Sequence, residues 1–248
     1  MNKLNFFDSN CCVGVWPTPT FKVAENAKDL LAEMNHCGIK KALIHHSEMR
    51  FHTPFEGNST LLKEIKGCKL LLPTRAILPP QTREQPSSII LLKEMKNQGI
   101  KVLFAFPNEH NYSLDSETFG DLFNAMVDFR IPLFVRGTLL QIRDLLRENP
   151  KLKVIGLSQG PHILDRYLRP LMENYNNFYF ETSSYLADNG IEDLCKKYGP
   201  ERILFGTGYP SNYMGSAMFR LLHADISLAY KRAIASGNLE KILSKVLI

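Results

Sequence analysis

Eight short apolar runs, separated by longer segments of helical period, predict an α/β chain folded as a (β/α)8 TIM barrel. The runs are 4–8, 41–46, 69–77, 101–106, 132–136, 153–157, 178–182 and 202–206. Several contain apolar stretches without a polar break, among them KALIH, KVLFAF, PLFV, KVIGL and RILFG. Such continuity suits strands covered by helices on one face and by a barrel interior on the other. A doubly wound open sheet is the alternative. No Gly-rich phosphate loop follows any run, which counts against a dinucleotide fold. No linker or low-complexity segment interrupts residues 1–248, so a single domain is expected.

The helical segments follow in order. Over 24–37, Ala27, Leu30, Leu31 and Met34 form one stripe, and Gly38 ends it. Segments 58–66 and 87–98 are shorter or noisier versions of the same pattern. Over 116–129, Phe119, Leu122, Phe123, Met126 and Val127 repeat with helical spacing, and Ser116 is placed to cap the start. Segment 138–148 follows, then 162–175 with Leu164, Leu168, Leu171, Met172 and Tyr175 on one face, then 190–198. The stretch PSNYMGSAMFRLL after the eighth run reads as a loop over the barrel mouth, with Tyr209 just before it and Tyr213 within it placed either to line a pocket or to pack.

Composition excludes several classes of function. The 248 residues are 44% hydrophobic and 22% charged, with a formal net charge of +5, which is ordinary for a globular chain. The charges are dispersed, and no five Lys or Arg stand together, so no nucleic-acid partner is expected. Mild basicity leaves room for a small anionic ligand. No apolar run reaches the length of a membrane span, and the first ten residues do not form a signal peptide. The five cysteines make no CxxC pair and no disulfide framework, which suits reduced thiols and a cytoplasmic location.

In a barrel of this kind, chemistry sits at the C-terminal ends of the strands and in the loops after them. Asp8, Asn10 and Cys12 end the first run, His45 and His46 the second, and Arg75 lies in the third. Asn108, Glu109 and His110 follow the fourth, and Arg136 ends the fifth. Ser158 and Gln159 end the sixth, Glu181, Thr182 and Ser183 the seventh, and Thr207 and Gly208 the eighth.

These ends carry a resemblance. FFDSNCCVG stands where one family of barrels has Asp-x-His-x-His, and IPLFVRGT and NPKLKVIGLSQG resemble strands that end in His-x-Gly. NFYFETSS, YGPERILFGTGYP and AIASGNLEKIL continue the match in order, and LLAEMNHCGIKKALI matches the first helix and second strand. The chain thus resembles the amidohydrolase-related barrels, the group containing 2-pyrone-4,6-dicarboxylate lactonase and aminocarboxymuconate-semialdehyde decarboxylase. The resemblance implies a divalent metal held by two histidines of the first strand, one of the fifth, often one of the sixth, and an aspartate of the eighth. At those positions this chain has Asn10, Cys12, Arg136, Ser158 and Gly208.

A catalytic zinc needs about three ligands drawn from His, Cys, Asp and Glu, and only Cys12 qualifies. Arg136 stays protonated. At ~4 Å and an effective dielectric of ~20 it would raise the energy of a dication by roughly 8 kcal/mol. The expectation is a barrel without a metal, a cofactor or metal-dependent hydrolysis. A site relocated to Cys12, His110 and one of His45 and His46 is the minor alternative.

Arg136 carries two readings. In one it grips a carboxylate or phosphate at the barrel mouth together with Arg75, with Asp8, Asn10, Ser158, Glu181 and Thr207 around the ligand. In the other it pairs with Asp8 or Glu181 as a structural ion pair. Cys12, with His45 or His46 as base, is a weak candidate for metal-free nucleophilic chemistry. Packing in the space of an imidazole is the simpler role for Cys12. Only one of His45 and His46 can face the interior, because adjacent strand residues point to opposite faces. Barrels of this kind often self-associate, so a homodimer enters as an expectation.

Overall fold

Each of the eight apolar runs becomes parallel strand. The computed structural model describes residues 4–18, 22–160 and 164–248. Its strands are β1 (Phe6–Val13), β2 (Ile39–His46), β3 (Leu71–Pro73), β4 (Arg75–Ala76), β5 (Leu103–Ala105), β6 (Leu133–Val135), β7 (Val154–Gly156), β8 (Phe178–Glu181) and β9 (Ile203–Leu204). All neighbours pair in parallel, in the orders β1-β2-β3 and β4-β5-β6-β7-β8-β9.

Two junctions join these arcs into a ring. At the first, β3 and β4 are halves of the single run 69–77, parted at Thr74. Pro73 has no N–H to give to a ladder. Thr74 donates its backbone N–H to Ile44 O at 3.2 Å, and Arg75 donates to Val102 O at 3.2 Å, so pairing passes from β2 to β5 within two residues. At the second, Ser9 N–H reaches Phe205 O at 2.9 Å, Gly208 N–H reaches Asn10 O at 2.9 Å, and Cys12 N–H reaches Tyr209 O at 3.0 Å. The ninth strand segment and its continuation therefore close on β1.

The helices are α1 (Ala27–Cys37), α2 (Glu48–Phe51), α3 (Pro54–Glu64), α4 (Ser88–Gln98), α5 (Ser116–Asp128), α6 (Leu139–Glu148), α7 (Asp165–Asn174), α8 (Gly190–Tyr198), α9 (Met214–His223), α10 (Leu228–Arg232) and α11 (Asn238–Leu243), with a π turn over Ala233–Gly237. Gly38 ends α1 at φ 83, a conformation that favours glycine. Helix α3 begins four residues before the expected 58, because Pro54 suits a first helical turn and Thr53 caps it. Asp115, not Ser116, caps α5 by accepting from Thr118 N–H at 2.8 Å. Residues 162 and 163 of the expected segment 162–175 lie outside the described residues.

One expectation is corrected. Most of PSNYMGSAMFRLL is not a loop but the helix α9, whose Met214, Ala217 and Leu221 are buried at helical spacing. That apolar period outweighs the turn residues at its start. Inside the ring, aromatic side chains fill the interior, with Phe104 and Phe134 stacked at 5.1 Å. Among the described residues no helix is long and apolar enough to cross a membrane.

Asp8 holds the closing junction from within. It is fully buried. Its Oδ1 accepts Asn10 N–H at 3.0 Å and Thr207 N–H at 2.9 Å, and its Oδ2 accepts the Thr207 hydroxyl. Burial pushes its carboxyl from 3.8 up to about 7, against the lowering effect of the Thr207 and Asn10 hydrogen bonds, and the Glu181 charge adds to the rise. A carboxyl that holds its proton more tightly when folded stabilises fully below its unfolded pKa and loses that contribution as pH rises through the folded one. Three units correspond to roughly 4 kcal/mol. The stability of the wild-type protein relative to Asp8→Asn should therefore fall by a few kcal/mol between about pH 4 and 7. Denaturant unfolding of both proteins across that range checks it, and parallel curves would count against it.

Candidate functional site

The barrel mouth is built from the segments that leave the C-terminal ends of the strands. Helix α2 follows β2 at once and carries Arg50. The loop after β5 turns back on itself, with His110 N–H on Phe106 O at 3.1 Å and Tyr112 N–H on Pro107 O at 3.1 Å. His110 Nε2 lies 2.9 Å from Met49 O and docks that loop on α2. Glu109 is thereby set between Arg50 and Arg136, the residue that follows β6.

Glu109 Oε1 accepts from both cations, from Arg50 Nε at 2.7 Å and from Arg136 Nε at 3.1 Å. The Arg50 guanidinium also lies 4.6 Å from the centre of the Phe51 ring and 5.5 Å from that of Trp16. Those rings meet edge to face at 4.7 Å. Aromatic faces and a carboxylate thus fix the Arg50 side chain. Arg50, Asn108, Glu109, Arg136, Thr138 and Ser158 line a cleft of about 340 Å³. Burial and the neighbouring Arg50 charge lower the Arg136 pKa, while Glu109 and Glu181 oppose the shift. Its ordinary value is high enough that Arg136 stays charged.

A second cluster lies beside the first. Glu181 is fully buried, and its carboxylate accepts from Asn10 Nδ2 at 3.1 Å, Ser183 N–H at 2.7 Å, Ser183 Oγ at 2.7 Å and the Ser158 N–H. Asn10 also donates to Ser158 Oγ at 3.2 Å. Ser158 has φ 51, in the left-handed region that a serine occupies at some cost. Its backbone N–H meets Glu181 from that conformation. Gly208, at φ 66, packs so closely that a Cβ would fall 2.9 Å from Ser183 Cβ.

The expected partners of Arg136 are corrected. Asp8 and Glu181 are satisfied by Thr207 and by the Asn10, Ser158 and Ser183 groups, and Arg136 pairs with Glu109 instead. Arg75 is not brought to Arg136. Strand alternation turns it outward, where Nη1 meets Glu94 Oε2 at 2.7 Å in a separate cleft of about 510 Å³ between α3 and α4. Arg50 stands in its place. The charged and aromatic residues of SEMRF, directly after the second strand, were the only sequence signal for it.

Cys12 and His45 are register partners across β1 and β2. His45 packs 5.5 Å from Phe104 and 5.6 Å from Phe106, and its Nδ1 is buried without a hydrogen-bond partner among the described residues. Burial, then the Arg50 and Arg136 charges, lower its pKa to about 3, so the ring is neutral. Burial pushes the Cys12 thiol far up, and the same two cations only partly oppose it. Neither side chain is poised as a thiolate or an imidazolium. His46 takes the other face, where its Nδ1 accepts Glu48 N–H at 3.3 Å.

Comparison with solved structures places this architecture among known barrels. An uncharacterised TIM-barrel protein of Bordetella bronchiseptica superposes with a TM-score of 0.74 at 15% identity, over 98% of this chain and 99% of the other. The 2,6-dihydroxybenzoate decarboxylase of Rhizobium gives 0.75 at 13%, over 98% and 99%. The 5-carboxyvanillate decarboxylase of Sphingomonas paucimobilis gives 0.68 at 13%, again over 98% and 99%. At such identities the likeness is one of fold. No curated protein matches the sequence. The family model described as amidohydrolase matches residues 52–245, which is most of the chain and begins after β2. The chain therefore belongs to the amidohydrolase family.

Proposed function

We propose that this barrel binds a small anionic ligand, a carboxylate or a phosphate, between Arg50 and Arg136 at its mouth, and does so without metal-dependent hydrolysis. The observation that carries the reading is the single carboxylate of Glu109 shared by two guanidinium groups, in a cleft with room for a ligand. Two cations and one anion leave one positive charge unmatched. Guanidinium suits carboxylate and phosphate through paired N–H donors. Two of the structural neighbours, decarboxylases named for dihydroxybenzoate and carboxyvanillate, act on carboxylated compounds, which favours a carboxylate here.

The residues at the family's metal positions do not fit a divalent cation. Asn10 directs its amide N–H groups at Ser158 and Glu181. The nearest buried carboxylate, Glu181, is already surrounded by four donors. Gly208 has no side chain and no room for one. Among the described residues no three His, Cys, Asp or Glu side chains are grouped to hold a metal ion. A dication beside Arg136 would be repelled rather than held.

Three outcomes are expected. Small carboxylates or phosphate should raise the melting temperature of the purified protein and give a measurable heat of binding. Arg136→Ala or Arg50→Ala should weaken that binding roughly ten- to hundred-fold, the worth of a charge-assisted hydrogen bond. Each variant leaves Glu109 one cation, so the fold should persist. An unchanged affinity would refute the reading. Elemental analysis after dialysis should find no stoichiometric zinc, manganese or iron, and one retained equivalent would restore a metal centre to consideration.

A further inference from the structure

We infer that the cleft selects ligands bearing one negative charge over ligands bearing two, and that Glu109 is the residue that sets this preference. The inference rests on the reading of the cleft as an anion site and narrows the class of ligand it takes.

The charges are few. Arg50, Arg136 and Glu109 are the charged residues lining the cleft among the described residues. Both arginines meet Glu109 through Nε. The paired Nη groups of each make no hydrogen bond among the described residues, so a ligand can meet that edge while Glu109 stays in place. A monoanion there brings the group to neutrality.

A second ligand charge finds no further cation. His45 and Cys12, the nearest titratable groups of β1 and β2 that feel both arginines, are uncharged. His110 does not line the cleft and turns its Nε2 to the Met49 carbonyl. Glu109, the carboxylate lining the cleft, stays beside the ligand, while Glu181 lies outside that lining among its own four donors. A dianion would therefore leave an unbalanced negative charge in a partly desolvated cleft, where like charges repel far more than in water.

Calorimetric titration of the full chain with size-matched pairs tests this, using butyrate against succinate and benzoate against isophthalate. The monoanions should bind about ten-fold more tightly in the wild-type protein. Glu109→Gln keeps an acceptor for the arginines and removes the charge, so it should close or reverse the gap by strengthening the dianions. Asn108→Asp adds a carboxylate beside the cleft and keeps the acceptor that takes Gln141 Nε2 at 2.9 Å. It should weaken the dianions more than the monoanions. Anions that bind with no preference for the single charge, or a preference untouched by both substitutions, overturn the inference and leave the anion site standing. If no anion of either kind binds, the anion site itself is refuted.

Discussion

A carboxylate taken out of water must find donors, and in this molecule that constraint shapes the closing edge of the barrel. Asp8 and Glu181 are both fully buried. Asp8 is met by Thr207 and the Asn10 backbone, which lie on the two segments that must join for the ring to close. Glu181 is met by groups from β1, from the turn after β7 and from its own strand end. These donors reach the two acids only in the closed ring, and at Asp8 they offset burial in part. Closure, in turn, holds the C-terminal ends of the strands in one rim, and the segments that bring Arg50, Glu109 and Arg136 together leave from that rim.

Because these two acids are satisfied internally, the arginines at the mouth are left to a third. Glu109 arrives on a loop rather than a strand, and its position depends on the docking of that loop on α2 through His110 and Met49. The rim therefore has two electrostatic compartments. One is a closed, hydrogen-bonded group around Glu181. The other is an open cation pair with a single carboxylate between. Cys12 and His45 feel the charges of Arg50 and Arg136 yet carry no charge, since burial outweighs the influence of those guanidinium groups.

Much of this was legible in the chain. Apolar runs without alternation announced strands covered on both faces, as in KVLFAF, PLFV and KVIGL, whereas β1 runs to Val13, five residues past the expected 4–8, because its polar Asp8, Ser9 and Asn10 interrupt the apolar pattern. Helix ends with a strong local cause, such as Gly38, were also readable. The misreadings have physical reasons. PSNYMGSAMFRLL looked like a loop because its turn residues come first, yet Met214, Ala217 and Leu221 form a buried stripe. Arg75 looked like a site residue because it lies in a strand, but one position along a strand reverses the face. Arg50 was missed because a four-residue helix leaves no periodic trace, and its partner lies 59 positions away. Ion pairs between distant loops depend on docking that no local pattern encodes.

The contact between Gly208 and Ser183 bears on how such a barrel can be re-engineered. An acidic side chain introduced at 208 would start in a left-handed backbone and collide at once with the end of β8. Ser183 cannot simply be trimmed away, since its hydroxyl and N–H are two of the four donors that keep Glu181 at ease in the interior. An acid placed at 208 must therefore come together with a change at the neighbouring strand end, one that gives Glu181 replacement donors in the same step.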